Sequence, residues 1–145
     1  MIKIPFALLA DYSNISREGK LNILGIFTQL YALKEPVTHP QMQLVYTLEA
    51  DRAETGRKHR LEIELIDGDG KKVFSFGGDL EFSQPPAGET RVIANQNLVM
   101  NNIQFPHFGK YEFKILVNGE VRGEVEFNVI PTPPQVAPPQ GPVEQ

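Results

Sequence analysis

Between Phe108 and Val129 the chain reads as two strands joined by a two-residue turn. Tyr111, Phe113, Ile115 and Val117 fall on one face of a period-two pattern, with Glu112 and Lys114 on the other. Asn118-Gly119 supplies the two left-handed residues that a type I′ turn requires. Val121, Val125, Phe127 and Val129 continue the apolar face, and Arg122, Glu124, Glu126 and Asn128 the polar one. A hairpin patterned this way belongs to an antiparallel sheet with one face on a core and one in water. It constrains the fold class strongly and the function hardly at all.

Similar signals recur along the chain. Ile4 to Tyr12 reads as a first strand, and Ser13 to Lys20 as a polar connection. Leu21 to Leu33 is a long apolar segment in which Gly25 marks a bulge or bend. Glu35-Pro36 and His39-Pro40 bracket a turn region, because a residue before proline is pushed out of the helical region. From Gln41 to Glu49 the pattern places Met42, Leu44, Tyr46 and Leu48 inward, and Gln43, Val45 and Thr47 outward. Ala50 to Lys58 reads as an exposed loop, with a short helix in Leu48 to Gly56 as the alternative. Leu61, Ile63 and Leu65 face inward, and Asp67-Gly68-Asp69-Gly70 turns the chain back. Lys71 to Phe76, Asp79 to Ser83, Thr90 to Met100 and Ile103 to Phe105 complete the strands, with a bend at Asn101-Asn102. Eight or nine short strands with frequent turns predict an all-β antiparallel sandwich. Tyr111, two residues after Gly109, stands where an immunoglobulin-like sandwich places its tyrosine corner, and favours that topology.

Pro131 to Gln145 differs in kind, since six of its fifteen residues are proline. The domain is therefore expected to span 1–130, followed by a disordered proline-rich tail over 131–145. PxxP spacings at Pro131 to Pro134 and Pro139 to Pro142 suit an aromatic groove, but no basic residue flanks them, and a solvated tail is the favoured reading.

Charge and composition narrow the function classes. The net charge of -4 argues against nucleic acid and anionic membranes as partners. The chain has no cysteine, so thiolate catalysis, disulfides and cysteine zinc sites are excluded, and a cytoplasmic location fits. Met1-Ile2-Lys3 and the short apolar run after it, broken by Pro5, match a cleaved signal poorly. No run has the roughly 18 apolar residues of a membrane-spanning helix.

Candidates for chemistry are few. Asp67-Gly68-Asp69 opens like a calcium loop, but its twelfth position is Gly78 rather than glutamate. His39, His59 and His107 lack ligand spacing and read as three isolated surface imidazoles. Ser13 and Ser16 have no nucleophile elbow, and no glycine-rich phosphate loop occurs. Arg52, Arg57, Lys58, His59 and Arg60 form a basic cluster diluted by neighbouring carboxylates. No cofactor, metal or catalytic residue is expected, and the chain reads as a non-enzyme.

Leu8-Leu9-Ala10-Asp11-Tyr12-Ser13-Asn14, Arg17-Glu18-Gly19-Lys20-Leu21-Asn22-Ile23-Leu24-Gly25-Ile26-Phe27 and the later Phe105 to Phe113 stretch with its Asn118-Gly119 turn resemble a family of small, single-domain bacterial proteins of uncharacterised function. The resemblance implies a bacterial source and a β-sandwich, and carries over no catalytic residue. The leading expectation is a non-catalytic module that binds a protein partner through Asp11, Tyr12, Asn14, Arg17 and Glu18. The alternatives are a structural subunit that pairs edge strands with its own copies, and, less favoured, a small-ligand binder or enzyme.

Overall fold

The computed structural model describes residues 1–133. It is built from nine strands: β1 (Ala7–Ile15), β2 (Leu21–Phe27), β3 (Gln29–Ala32), β4 (Val37–Asp51), β5 (Lys58–Asp67), β6 (Lys72–Glu81), β7 (Arg91–Phe105), β8 (Gly109–Val117) and β9 (Glu120–Pro131). A four-stranded sheet of order β2-β1-β4-β7 packs on a five-stranded sheet of order β3-β9-β8-β5-β6. All pairings are antiparallel except β3 with β9. The core lies between the sheets. Leu9, Met42, Leu44 and Leu48 meet Ile63, Leu65, Phe113, Ile115 and Phe127 there.

The closing hairpin forms as its pattern dictates. Asn118 and Gly119 have φ of 52° and 83°, and Tyr111, Phe113, Ile115 and Val117 are buried. The register shifts by one residue between Ile115 and Leu116, which turns Val121 out into solvent although it continues the apolar series. The expected tyrosine corner is present, with the Tyr111 hydroxyl donating to the His107 carbonyl at 2.6 Å.

Several boundaries differ from the sequence reading. β1 begins three residues later than expected and continues through Ser13, Asn14 and Ile15. The Leu21 to Leu33 segment splits at Thr28, where the chain leaves one sheet for the other. Gly25 is not a bulge, since the β1–β2 register is unbroken. It adopts φ of 71°, and an added Cβ would fall on the Asp11 carboxylate. His39-Pro40 lies inside β4, opposite Asn102 of β7. Pro40 has no N–H to give the ladder, and Asn102 takes up the local distortion with φ of 51°. The expected bend is therefore a left-handed residue within one continuous strand.

The Ala50 to Lys58 loop is shorter than expected, because β4 runs to Asp51 and a single 3-10 turn follows at Arg52–Glu54. Glu54 and Thr55 are buried rather than exposed. Gly77-Gly78 does not break β6, since Gly77 lets the Leu61 carbonyl approach to where a Cβ would otherwise sit. In the Asp67 turn only Gly70 is left-handed, at φ of 83°. The Asp67 carboxylate closes that turn by accepting the N–H groups of Asp69 and Lys71, each at 2.9 Å. Strand β9 extends one residue past the expected domain end, to Pro131. The tail reading otherwise falls on residues 134–145, outside the described residues.

Candidate interaction surface

All five sequence-derived site residues lie on one element, the β1–β2 hairpin. Its turn is a three-residue loop, Arg17-Glu18-Gly19, with Gly19 at φ of 85°. Ser16 closes it three times: its N–H donates to the Lys20 carbonyl at 2.7 Å, its carbonyl accepts Gly19 N–H at 2.9 Å, and its hydroxyl oxygen accepts Lys20 N–H at 3.0 Å. Arg17 and Glu18 form the exposed tip. Asn14 accepts a hydrogen bond from Asn22 across the hairpin at 2.9 Å, so its side chain braces the ribbon. Asp11 sits over Gly25, with its charge towards His39. Burial holds the His39 imidazole below its usual range despite that neighbouring carboxylate. Tyr12 faces solvent directly across from Leu24.

The hairpin is not a simple extension of its sheet. β1 stays in register with β4 only from Ala7 to Ala10. Beyond that point the ribbon is tied down by side chains. Ser13 donates to Gln43 at 2.5 Å, Asn97 donates to the Ser13 carbonyl at 3.3 Å, and Asn95 donates to the Gly19 carbonyl at 3.0 Å. Asn95 in turn accepts from Thr47 at 2.8 Å. The hairpin thus roofs the face of β4 that points away from the core. Gln43, Val45 and Thr47, expected to be outward and wet, are buried for this reason.

The roof leaves three large apolar side chains exposed among its polar ones. Leu24 is 65% exposed, Ile26 61% and Tyr12 47%. Sequence reasoning picked Tyr12 but missed Leu24 and Ile26. Their alternation with Asn22 was the available signal, masked by apolar Ile23 and Phe27 on the other face. From Leu21 to Phe27 strand β2 carries no charge, and it is an edge of its sheet. Edge strands are usually guarded by charge.

The remaining candidates are scattered. His59 is buried, contrary to the surface imidazole expected. Its Nε2 donates to the Glu54 carbonyl at 2.7 Å and its Nδ1 accepts from Asn118 at 3.0 Å. His39 is half-buried and His107 exposed. The basic cluster disperses, with Arg52 on the Glu89 carbonyl at 2.7 Å and Arg60 beside Asp79 at 3.8 Å. Among the described residues no three metal-capable side chains converge. No helix among them is long and apolar enough to cross a membrane.

Fold and surface together define an all-β sandwich domain with an exposed apolar edge hairpin. The chain belongs to DUF6941, a family of unknown function, whose pattern matches residues 5–130. No curated protein matches it. Among solved structures it is similar to the Pseudomonas fluorescens alkylpurine DNA glycosylase AlkC, bound to DNA containing an abasic site analog. The identity is 16% and the TM-score 0.50, over 89% of this chain and 30% of the glycosylase chain. The likeness is one of fold, and this chain spans less than a third of that enzyme's length. It corrects one expectation. Net negative charge does not remove nucleic acid from the partner classes, because a chain with this sandwich occurs in a DNA-bound protein.

Proposed function

We propose that the protein is a non-catalytic recognition module that engages a protein partner through the β1–β2 hairpin. The observation that carries this reading is the uncharged edge strand β2, with Leu24 and Ile26 in solvent beside Tyr12. Such an edge offers a partner apolar side chains at alternate positions with no charge to repel it. Arg17 and Glu18 at the tip supply charges that select among partners.

The topology supports reading the sandwich as immunoglobulin-like. A tyrosine corner opens β8, and β8 and β9 pair beside β5 as the last strands of that fold do. The lack of cysteine supports a cytoplasmic site of action.

The test places a photo-crosslinking residue at position 24 of the full chain in its native host. A discrete adduct that disappears in Ile26→Lys supports the hairpin as the binding surface. Adducts unchanged by Ile26→Lys, or no adduct at all, defeat it. Both positions are exposed, so the fold should survive these changes. A second reading, contact with nucleic acid, is favoured only by the DNA-bound glycosylase of similar fold. Fluorescence anisotropy with a labelled duplex at low and high salt decides it, since binding through phosphates weakens steeply with salt.

A further inference from the structure

The turn that joins β8 to β9 carries the only Asn-Gly pair in the chain, Asn118-Gly119. Such a pair is chemically labile, because the glycine nitrogen has no side chain to shield it from the asparagine amide carbon. Every other asparagine precedes Ile, Gln, Leu, Asn or Val, whose side chains hinder that approach. Glycine is nevertheless what position 119 demands. Its φ is 83°, and nothing stands within 4 Å of the place of an added Cβ, so the requirement is conformational rather than one of space. The residues that make the turn also make the labile bond.

Three hydrogen bonds dock Asn118 on β5. Its N–H donates to the Arg60 carbonyl at 2.8 Å, its Oδ1 accepts the Arg60 N–H at 2.9 Å, and its Nδ2 donates to His59 Nδ1 at 3.0 Å. Chemistry fixes this arrangement. The Arg60 N–H can only donate, so Oδ1 must face it, and Nδ2 is left for the ring. His59 Nδ1 is then the unprotonated nitrogen, and Nε2 carries the proton given to the Glu54 carbonyl at 2.7 Å. The ring is buried and packs edge-on to Phe82, with centroids 5.8 Å apart. The Asn118 amide is therefore clamped against β5 although the residue is exposed to water. Attack by the Gly119 nitrogen requires that amide to leave both of its partners and swing across the turn.

We propose that Asn118 is a site of spontaneous deamidation gated by undocking of the turn from β5. The Gly119 nitrogen bonds to Asn118 Cγ, its proton passes to the amide nitrogen, and the Cγ–Nδ2 bond breaks with loss of ammonia. Water then opens the cyclic imide. Opening at Cγ leaves aspartate, and opening at the main-chain carbonyl leaves isoaspartate. Neither product docks as Asn118 does. Aspartate turns an acceptor towards His59 Nδ1, where the amide had turned a donor. Isoaspartate adds a carbon to the main chain inside a turn whose ends, Val117 and Glu120, are paired. A molecule that opens long enough to react is thereby marked permanently, and the mark loosens the closing hairpin from β5.

Mass-spectrometric peptide mapping of the full chain, incubated at neutral pH, follows the amide-to-acid mass shift at each asparagine. An isoaspartate-specific methyltransferase reports the isoaspartate share. Conversion at Asn118 should be several-fold slower in native buffer than in urea, and should climb with urea in step with amide exchange at Asn118. His59→Ala, which frees Nδ2, should speed conversion in native buffer and leave the other asparagines unchanged. Equal rates in the folded and unfolded chain, or conversion spread evenly over the asparagines, overturn the proposal. If His59→Ala does not fold, the urea series on the parent chain decides. Asn118→Asp reads the consequence of the mark, with faster amide exchange at Glu120 and a lower melting temperature expected at neutral pH. A variant as stable as the parent overturns the proposed gate, because docking would then not depend on the amide.

Discussion

Burying an imidazole is tolerated when both ring nitrogens have partners, and His59 meets that condition. It links the 3-10 turn to the tip of the closing hairpin, through the Glu54 carbonyl on one side and Asn118 on the other. The Asn118 side chain also accepts the Arg60 N–H at 2.9 Å, so one asparagine serves both the turn and the histidine. His59→Ala removes the link and leaves buried polar groups without partners. A loss of about 1–3 kcal/mol in urea unfolding is expected, with the fold retained. Glu112 works in the opposite direction. Burial, with the nearby Glu124 carboxylate, holds its carboxyl above the usual 4.5, and Lys114 only partly offsets this. The folded state therefore binds the proton more tightly than the unfolded chain. This contribution to stability is fullest below pH 4.5 and is lost as pH rises through the raised folded value. Glu112→Gln should accordingly match or exceed the parent in melting temperature at pH 7, and the advantage should vanish at low pH. Thermal scans at several pH values check this, and a neutral-pH loss would contradict it.

Single elements differ in how much of them can be read from sequence. The β8–β9 hairpin was legible because its pattern, its Asn-Gly turn and its burial are all local. Even there Val121 escaped, because a one-residue bulge is not encoded in the alternation of polar and apolar residues. The β1–β2 hairpin was legible only as two apolar stretches and a polar link. Its position is set by Gln43, Asn95 and Asn97, residues distant in sequence whose amides read as ordinary surface polarity. Hence the outward burial of Val45 was missed, as was the exposure of Leu24 and Ile26. Gathering the five chosen site residues on that hairpin needed no long-range information, since they are close in sequence. Because the far half of the ribbon is held by side chains rather than by a ladder to β4, it should open on its own. Ser13→Ala removes the bond to Gln43. It should speed amide hydrogen exchange from Tyr12 to Ile23 while leaving β8 and β9 at their parental rates. Equal acceleration throughout would mean that the hairpin unfolds only with the whole domain.

For the whole molecule, the decisive event is the crossing at Thr28. It sends β3 to pair in parallel with β9, matching Gln29 with Asn128 and Leu30 with Val129. The chain up to Ala32 thus contributes to both sheets, adding β1 and β2 to one and β3 to the other. Nothing in the residues around Thr28 announces the change of sheet. It follows from the partner strand at the other end of the chain. Pairings this far apart in sequence make folding slow for the size of the domain, on the order of milliseconds to seconds. Stopped-flow refolding checks this, and microsecond relaxation would contradict it. One consequence of the Pro40–Asn102 pair lies outside the domain. Strand β7 is a fifteen-residue edge, long enough to seed growth of an intermolecular sheet. The left-handed Asn102 interrupts the extended backbone part-way along that edge, so a foreign strand meets a break there. A local defect in one ladder thereby guards this edge against the growth of an intermolecular sheet.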